Sequence, residues 1–225
     1  MKAAPHFASV SAPASAFKFA FTFAFFFVIG ICTAGASHAA NVNISVTDAA
    51  GKPLAGAVAY LQAAAGKLAA KPLAGIEISQ AKRQFAPRVT IVTVGTPVTF
   101  PNLDTVRHHV FSFSPIKTFE LKLYAGVPNV PVLFDKPGFA VLGCNIHDQM
   151  AAWVAVLDTP LFAQTAVSGK ARIEGAAAGS YKLRVWHPGL GANDEPAAIA
   201  INVGAVDLEQ GVKLNIANNP LAAEP

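Results

Sequence analysis

One heptapeptide constrains this chain more than any other stretch: Cys144-Asn145-Ile146-His147-Asp148-Gln149-Met150. A thiol, an imidazole and a thioether recur at every third position, with the apolar run Phe139–Leu142 before them and Ala151–Val156 after. Short apolar runs separated by polar residues read as strands. A strand ending at Cys144 and another starting at Met150 turn all three side chains toward one point. Sulfur donors combined with imidazole favour copper over harder cations. A fourth donor has to come from elsewhere in the chain, and His108 is the candidate.

The fate of that thiol depends on the compartment. Lys2 and Lys18 are the only Lys, Arg, Asp or Glu residues ahead of the apolar run Phe19–Ile31, and Ser37-His38-Ala39 offers small residues for cleavage. This pattern reads as a signal peptide over 1–39, its apolar run too short to span a bilayer comfortably; an uncleaved anchor is the alternative. Ile31 before Cys32 lacks the small residue of a lipoprotein cleavage box. The expectation is export to the periplasm, with no stable membrane insertion once the leader is removed. Cleavage near Ala39 takes Met1 and Cys32 away, so the mature chain keeps one Cys, Cys144, and one Met, Met150. No intramolecular disulfide is then possible. A lone thiol in an oxidising compartment is oxidised unless it is buried or held by a metal.

The remaining composition sets the fold class. The 225 residues suffice for one or two domains with a real core. The formal charge of +4 includes Lys2 and Lys18 and so falls to about +2 in the mature chain, with no Lys/Arg run; no nucleic-acid partner is implied. Val42, Ile44 and Val46 alternate with polar residues ahead of a turn over Asp48–Pro53, and Ala57–Leu61 reads as a second strand. Gln62–Gly75 is a loop. Further strands are expected over Val89–Val94, Val98–Phe100, His108–Phe113, Phe119–Leu123 and Val130–Phe134, with breaks at Gly95-Thr96-Pro97 and Pro101–Asp104. Pro131 suggests a sheet edge. Beyond Pro160, strands are expected over Ala171–Glu174, Tyr181–Trp186, Ile199–Val203 and Val212–Ile216, and a loose tail over 217–225. Many short strands with regular turn signals predict an all-β sandwich architecture. On the Tyr181–Trp186 strand, Tyr181, Leu183 and Val185 face a core and Trp186 faces the other way, which reads first as a surface aromatic, with cover for the domain junction or part of a docking surface as the alternatives; His187 has little claim as a metal ligand.

The wider pattern is Phe100-Pro101-Asn102-x-Asp104-x3-His108, then Pro137-Gly138 leading to Cys144-x2-His147-x2-Met150. It resembles the cupredoxins, the compact loop being similar to that of amicyanin and the longer pattern to exported cupredoxin-like, methylamine-utilisation proteins. The resemblance covers about Ile76 to Asp158 and implies a Greek-key β-sandwich domain over 76–158 with one type 1 copper. His108, Cys144 and His147 would be the strong ligands and Met150 the long axial one. His147 would lie nearest the surface and pass electrons to a redox partner, a cytochrome or dehydrogenase, docking there. Two positions depart from the usual pattern. His109 stands where many cupredoxins have an Asn bracing the copper loop, which opens the question of which neighbouring histidine binds; the motif favours His108, with His109 and Asn102 as candidates for the surrounding shell. Ile146 stands where amicyanin-like loops often have Pro.

Zinc could use the thiolate and both imidazoles but gains little from a thioether. No nucleophile elbow or phosphate-cradling loop points to an enzyme. Copper delivery without electron transfer, or a metal-free structural sandwich, are the alternative functions. The flanks carry a weaker resemblance to a carboxypeptidase-regulatory-like, transthyretin-type sandwich, in Asp48-x2-Gly51-Lys52-Pro53-Leu54-x-Gly56-Ala57 and in Gly169-Lys170-Ala171-x-Ile173 with Ala178-Gly179-x-Tyr181-x-Leu183-x-Val185. It implies a second, smaller domain over 41–75 plus 160–216, split by the central one. One enlarged sandwich is the alternative.

Overall fold

The computed structural model describes residues 39–190, 194–216 and 219–221. Residues 1–38 of the expected signal peptide and most of the expected tail lie outside the described residues. Among the described residues every regular element is a β-strand, 17 in all. None of them forms a helix long and apolar enough to cross a membrane.

Two strands come first, β1 (Ala40–Thr47) and β2 (Val58–Ala63). Ten follow: β3 (Ile76–Glu77), β4 (Ser79–Ala81), β5 (Gln84–Ala86), β6 (Val89–Thr93), β7 (Thr96–Thr99), β8 (His108–Ser114), β9 (Lys117–Tyr124), β10 (Val132–Phe134), β11 (Gly138–Gly143) and β12 (Ala151–Leu157). The last five are β13 (Phe162–Gln164), β14 (Lys170–Ala176), β15 (Gly179–Trp186), β16 (Ala197–Val203) and β17 (Leu208–Lys213).

Strand pairing sorts these into two sandwiches. In one, the five-stranded sheet β6-β12-β11-β8-β9 faces the three-stranded sheet β10-β7-β3, with the β4–β5 hairpin alongside. Its core holds Phe85, Val98, Phe100, Val110, Phe134, Ala140, Leu142, Val154 and Val156, and Cys144 and Met150 belong to it. In the other, the sheet β14-β1-β17 faces β13-β2-β15-β16, around Val42, Ile44, Val46, Leu61, Ile173, Leu183 and Val185. The chain leaves this second sandwich after β2 and returns to it at β13.

Side-chain alternation explains how the two meet. Along β12, Ala152, Val154 and Val156 point into the first core, while Trp153, Ala155 and Leu157 pack with Val89 of β6, Val58 and Tyr60 of β2, and Trp186 of β15. Burial on both faces is why Ala151–Leu157 is a continuous apolar run and not an alternating one. Trp186 is therefore not a surface aromatic but covers the junction, the alternative that its outward register left open: its ring stacks on Phe139 of β11, centroids 4.2 Å apart and planes 11° apart. The face that points away from one core is the face that meets the other sandwich.

Two other expectations shift and one holds. The last strand is β17 over Leu208–Lys213 and not Val212–Ile216, because it runs parallel to β1 from Val42↔Leu208 to Thr47↔Lys213; Leu214 and Ile216 are buried beyond its end. Pro97 lies within β7 and not in a break. It is tolerated there because β3 pairs with β7 only at Val98 and Thr99. The proline-marked segment Val130–Phe134 does supply the edge strand β10.

Candidate metal centre

Three elements bring the sulfur and imidazole groups together. β8 and β11 are neighbours in the five-stranded sheet, so His108 at the start of β8 and Cys144 just past β11 lie at the same end of it. Ala140, Leu142 and Cys144 take the inward positions on alternate residues. The turn after Cys144 is closed by the Met150 N–H donating to the His147 carbonyl at 2.9 Å, which holds His147 over the end of the sandwich.

His108, Cys144 and His147 each place a ligand atom within 4.8 Å of the other two. Among the described residues no other His, Cys, Asp or Glu trio gathers this way. The two imidazoles lie 5.0 Å apart between centroids, planes at 60°. His108 and Cys144 are buried and His147 is partly exposed. Met150 is buried in the same core as Cys144.

The nitrogens say most about the purpose of the cluster. His108 Nε2 is taken by Asp104 Oδ2 at 2.8 Å, which leaves Nδ1 as its other polar atom. His108 Nδ1 and His147 Nδ1 are both buried with no hydrogen-bond partner. A buried polar atom left unpaired costs about 1–3 kcal/mol, so two beside one thiol call for a missing partner. A soft cation shared by both imidazoles and the thiol would give both atoms the partner they lack, and the donor set of two imidazoles and a thiol suits it.

Asp104 is the residue whose role sequence reasoning missed. Its carboxylate accepts the backbone N–H groups of Lys82 at 2.6 Å and Arg83 at 2.8 Å as well as the His108 ring. Lys82 and Arg83 form the tip of the β4–β5 hairpin with φ of 53° and 61°. Two successive left-handed residues without Gly or Asn are unfavourable, and the Asp104 clamp offsets that cost. Burial raises the Asp104 pKa. The Arg83 N–H, the His108 ring, the Lys82 N–H and the His108 charge together outweigh it, so the carboxyl is held below its usual value. Asp104→Asn should remove an acceptor from this clamp, costing about 1 kcal/mol in the metal-free protein. Nitrogen NMR should then find the His108 Nε2–H tautomer no longer dominant; an unchanged tautomer would count against the clamp.

Asn102 shapes the loop that carries Asp104. Its amide donates to Val106 O and Tyr124 O, each at 2.9 Å, and its Oδ1 accepts the Asp104 N–H at 3.0 Å. The Tyr124 hydroxyl donates to Phe100 O at 2.7 Å and accepts from Gln80 Nε2. Burial pushes the Tyr124 phenol up to about 12, against the Gln80 hydrogen bond and with a further push from Cys144, so it stays protonated. His109 is not brought into the cluster. Its ring lies 5.5 Å from Phe111, and Nε2 sits 2.9 Å from Glu120 Oε1 without a hydrogen-bonding angle. His187 lies in the second sandwich, buried and donating from Nε2 to Ala55 O at 3.1 Å.

An all-β sandwich carrying a His-Cys-His cluster, two of its three members buried, at one end of a five-stranded sheet is the class that fold and site define. Solved structures similar to this chain include a purple cupredoxin from Nitrosopumilus maritimus, 21% identical over 37% of this chain and 100% of that one, TM-score 0.33. Amicyanin from Paracoccus versutus is 15% identical over 44% of this chain and 98% of its own, TM-score 0.32. A copper-containing nitrite reductase from Thermus scotoductus is 23% identical over 50% of this chain and 28% of its own, TM-score 0.35. No family model matches the chain, and no curated protein does.

Proposed function

We propose that His108, Cys144, His147 and Met150 hold one type 1 copper, and that the protein is a periplasmic carrier of single electrons. On this reading residues 76–158 form the copper domain, set within an accessory sandwich built from 41–75 and 160–216. The observation that carries the reading is the pair of buried, unpartnered Nδ1 atoms of His108 and His147 beside Cys144. Bound copper would supply a one-electron couple between Cu(I) and Cu(II).

The chain supplies the rest. Strands β8 and β11 fix His108 and Cys144, and the Asp104 clamp holds the His108 ring with Nδ1 turned away from the carboxylate. Burial of both residues keeps water from the sulfur. Four protein donors leave no open position for a substrate, which favours a carrier over an enzyme. His147 reaches the surface among apolar side chains on the loops at this end: Ile146 is 49% exposed, Leu103 68% and Val127 61%. A small apolar rim around the most exposed ligand suits brief docking of a redox protein.

The test is to load the mature protein with one equivalent of Cu(II) and reduce and reoxidise it repeatedly. An intense visible thiolate-to-copper band should bleach and return over many cycles with the copper retained. Loss of copper on reduction would favour a delivery role, and no band at all would defeat the copper reading.

A further inference from the structure

The last described residues of the chain cross the joint between the two sandwiches. Asn219, Pro220 and Leu221 follow β17, which belongs to the second sandwich, yet Pro220 reaches the first. Its carbonyl accepts Arg88 Nη2 at 2.8 Å, just ahead of β6. Asn219 Oδ1 accepts the Leu221 N–H at 2.9 Å, which fixes a local turn around the proline. Leu221 is half-buried against the joint cluster that includes Val58, Tyr60, Val89, Trp153 and Trp186. Its Cδ1 also fills the place that a Cβ on Gly56 would take, in the segment between β1 and β2 of the second sandwich.

Both ends of this contact are shaped for it. Gly56 has a φ of 78°, where a residue with a Cβ is strained, so the backbone stays bare where Leu221 sits. Arg88 is held twice. Its guanidinium carbon lies 5.7 Å from the centroid of the Trp153 ring, within cation–π range, while Nη2 holds Pro220. The carbonyl of the same arginine accepts the Trp153 N–H at 2.8 Å, where β6 begins its parallel pairing with β12.

We propose that Asn219–Leu221 is a strap that locks the two sandwiches together, with Arg88 as its anchor on the first and Gly56 as its seat on the second. The chain itself passes between the sandwiches at two places, from β2 to β3 and from β12 to β13. Two folded units joined in this way keep freedom to move against each other unless their contact is fixed. The strap adds a third link from a distant part of the sequence. Without it the joint should open locally while both sandwich cores stay folded.

Hydrogen exchange of the metal-free protein, followed amide by amide by NMR, reads both ends of the strap. The Gly56 N–H donates to Thr165 O at 3.0 Å in the second sandwich, and the Trp153 N–H reports on the first. Deleting residues 217–225 should speed exchange at both amides about tenfold, the loss of one charge-assisted hydrogen bond. Leu221→Ser keeps the Pro220 carbonyl and should speed both about fivefold. Arg88→Met should match the deletion at Trp153, and combining the two should add no more than about a further threefold. Leu142, paired with Ala152, and Leu183, paired with Leu61, should keep their protection in every variant. Unchanged exchange at both amides, acceleration at only one of them, or acceleration that extends equally to Leu142 and Leu183 would overturn the strap. So would full additivity of Arg88→Met and the deletion. No copper enters the assay, so its failure leaves the redox reading untouched.

Discussion

Cys144→Ser should give a folded protein that takes up Cu(II) without the intense visible band of the parent. The band requires a sulfur donor, and serine offers only a hydroxyl. The substitution is small and lies at the end of β11, so strand pairing between β11 and β12 from Gly138↔Val156 to Gly143↔Ala151 survives it. The paired test concerns the adjacent histidines. His108→Ala should abolish the band and weaken Cu(II) binding by more than about 100-fold, the upper range for losing even an outer-shell partner of a metal ligand. His109→Ala should keep the band, because its ring faces Glu120 and Phe111 and not Cys144. Absorption spectra and competitive metal titration of the three variants decide the matter. Bleaching by His109→Ala with the band intact in His108→Ala would reverse the ligand assignment.

The heptapeptide was legible because a thiol, an imidazole and a thioether at three-residue spacing leave few other readings, and because Pro137-Gly138 and the apolar runs mark the strands on either side. The choice between His108 and His109 was less legible. Alternation along a strand says that neighbours point to opposite faces, but it does not say which face is inward. The structure settles where each ring lies through the ladder: β8 pairs with β9 through a register shift between His108 and Val110, and Val110 joins the core.

Asp104 was visible as part of a motif, but its task was not. The partner that gives it meaning is the Lys82-Arg83 tip, more than twenty residues upstream in a hairpin without the Gly or Asn that signals a two-residue turn. The strain at that tip is relieved by a tertiary contact, and no local pattern encodes such relief. The same limit applied to Trp186. Its outward register on β15 was correct, while the sheet that covers it is built from β11 and β12 of the other sandwich. An outward aromatic reads as surface until the second layer is known.

Acid should weaken the second sandwich through His187, and the sign follows from its hydrogen bonds. Nε2–H donates to Ala55 O at 3.1 Å, and Nδ1 accepts the Gly189 N–H at 2.9 Å, so the folded site holds the neutral ring. Burial lowers its pKa from 6.5 to about 4, with the Ala55 hydrogen bond acting in the opposite direction. The unfolded chain takes up a proton near pH 6.5 and the folded one only near pH 4. The stability held by the neutral ring is therefore fully present above about pH 6.5 and is lost progressively down to about pH 4. Allowing for solvent screening, the loss is roughly 2 kcal/mol. Glutamine can supply one donor and one acceptor without titrating, so His187→Gln should lose stability at neutral pH by imperfect fit yet depend less on acid. Urea unfolding of parent and variant at pH 7.5 and pH 4.5, followed by tryptophan fluorescence, isolates the term, because the carboxylates common to both proteins cancel in the difference. Identical acid sensitivity in the two proteins would show that the ring at 187 is already charged in the fold, and the hydrogen bond from Gly189 would then have to be abandoned.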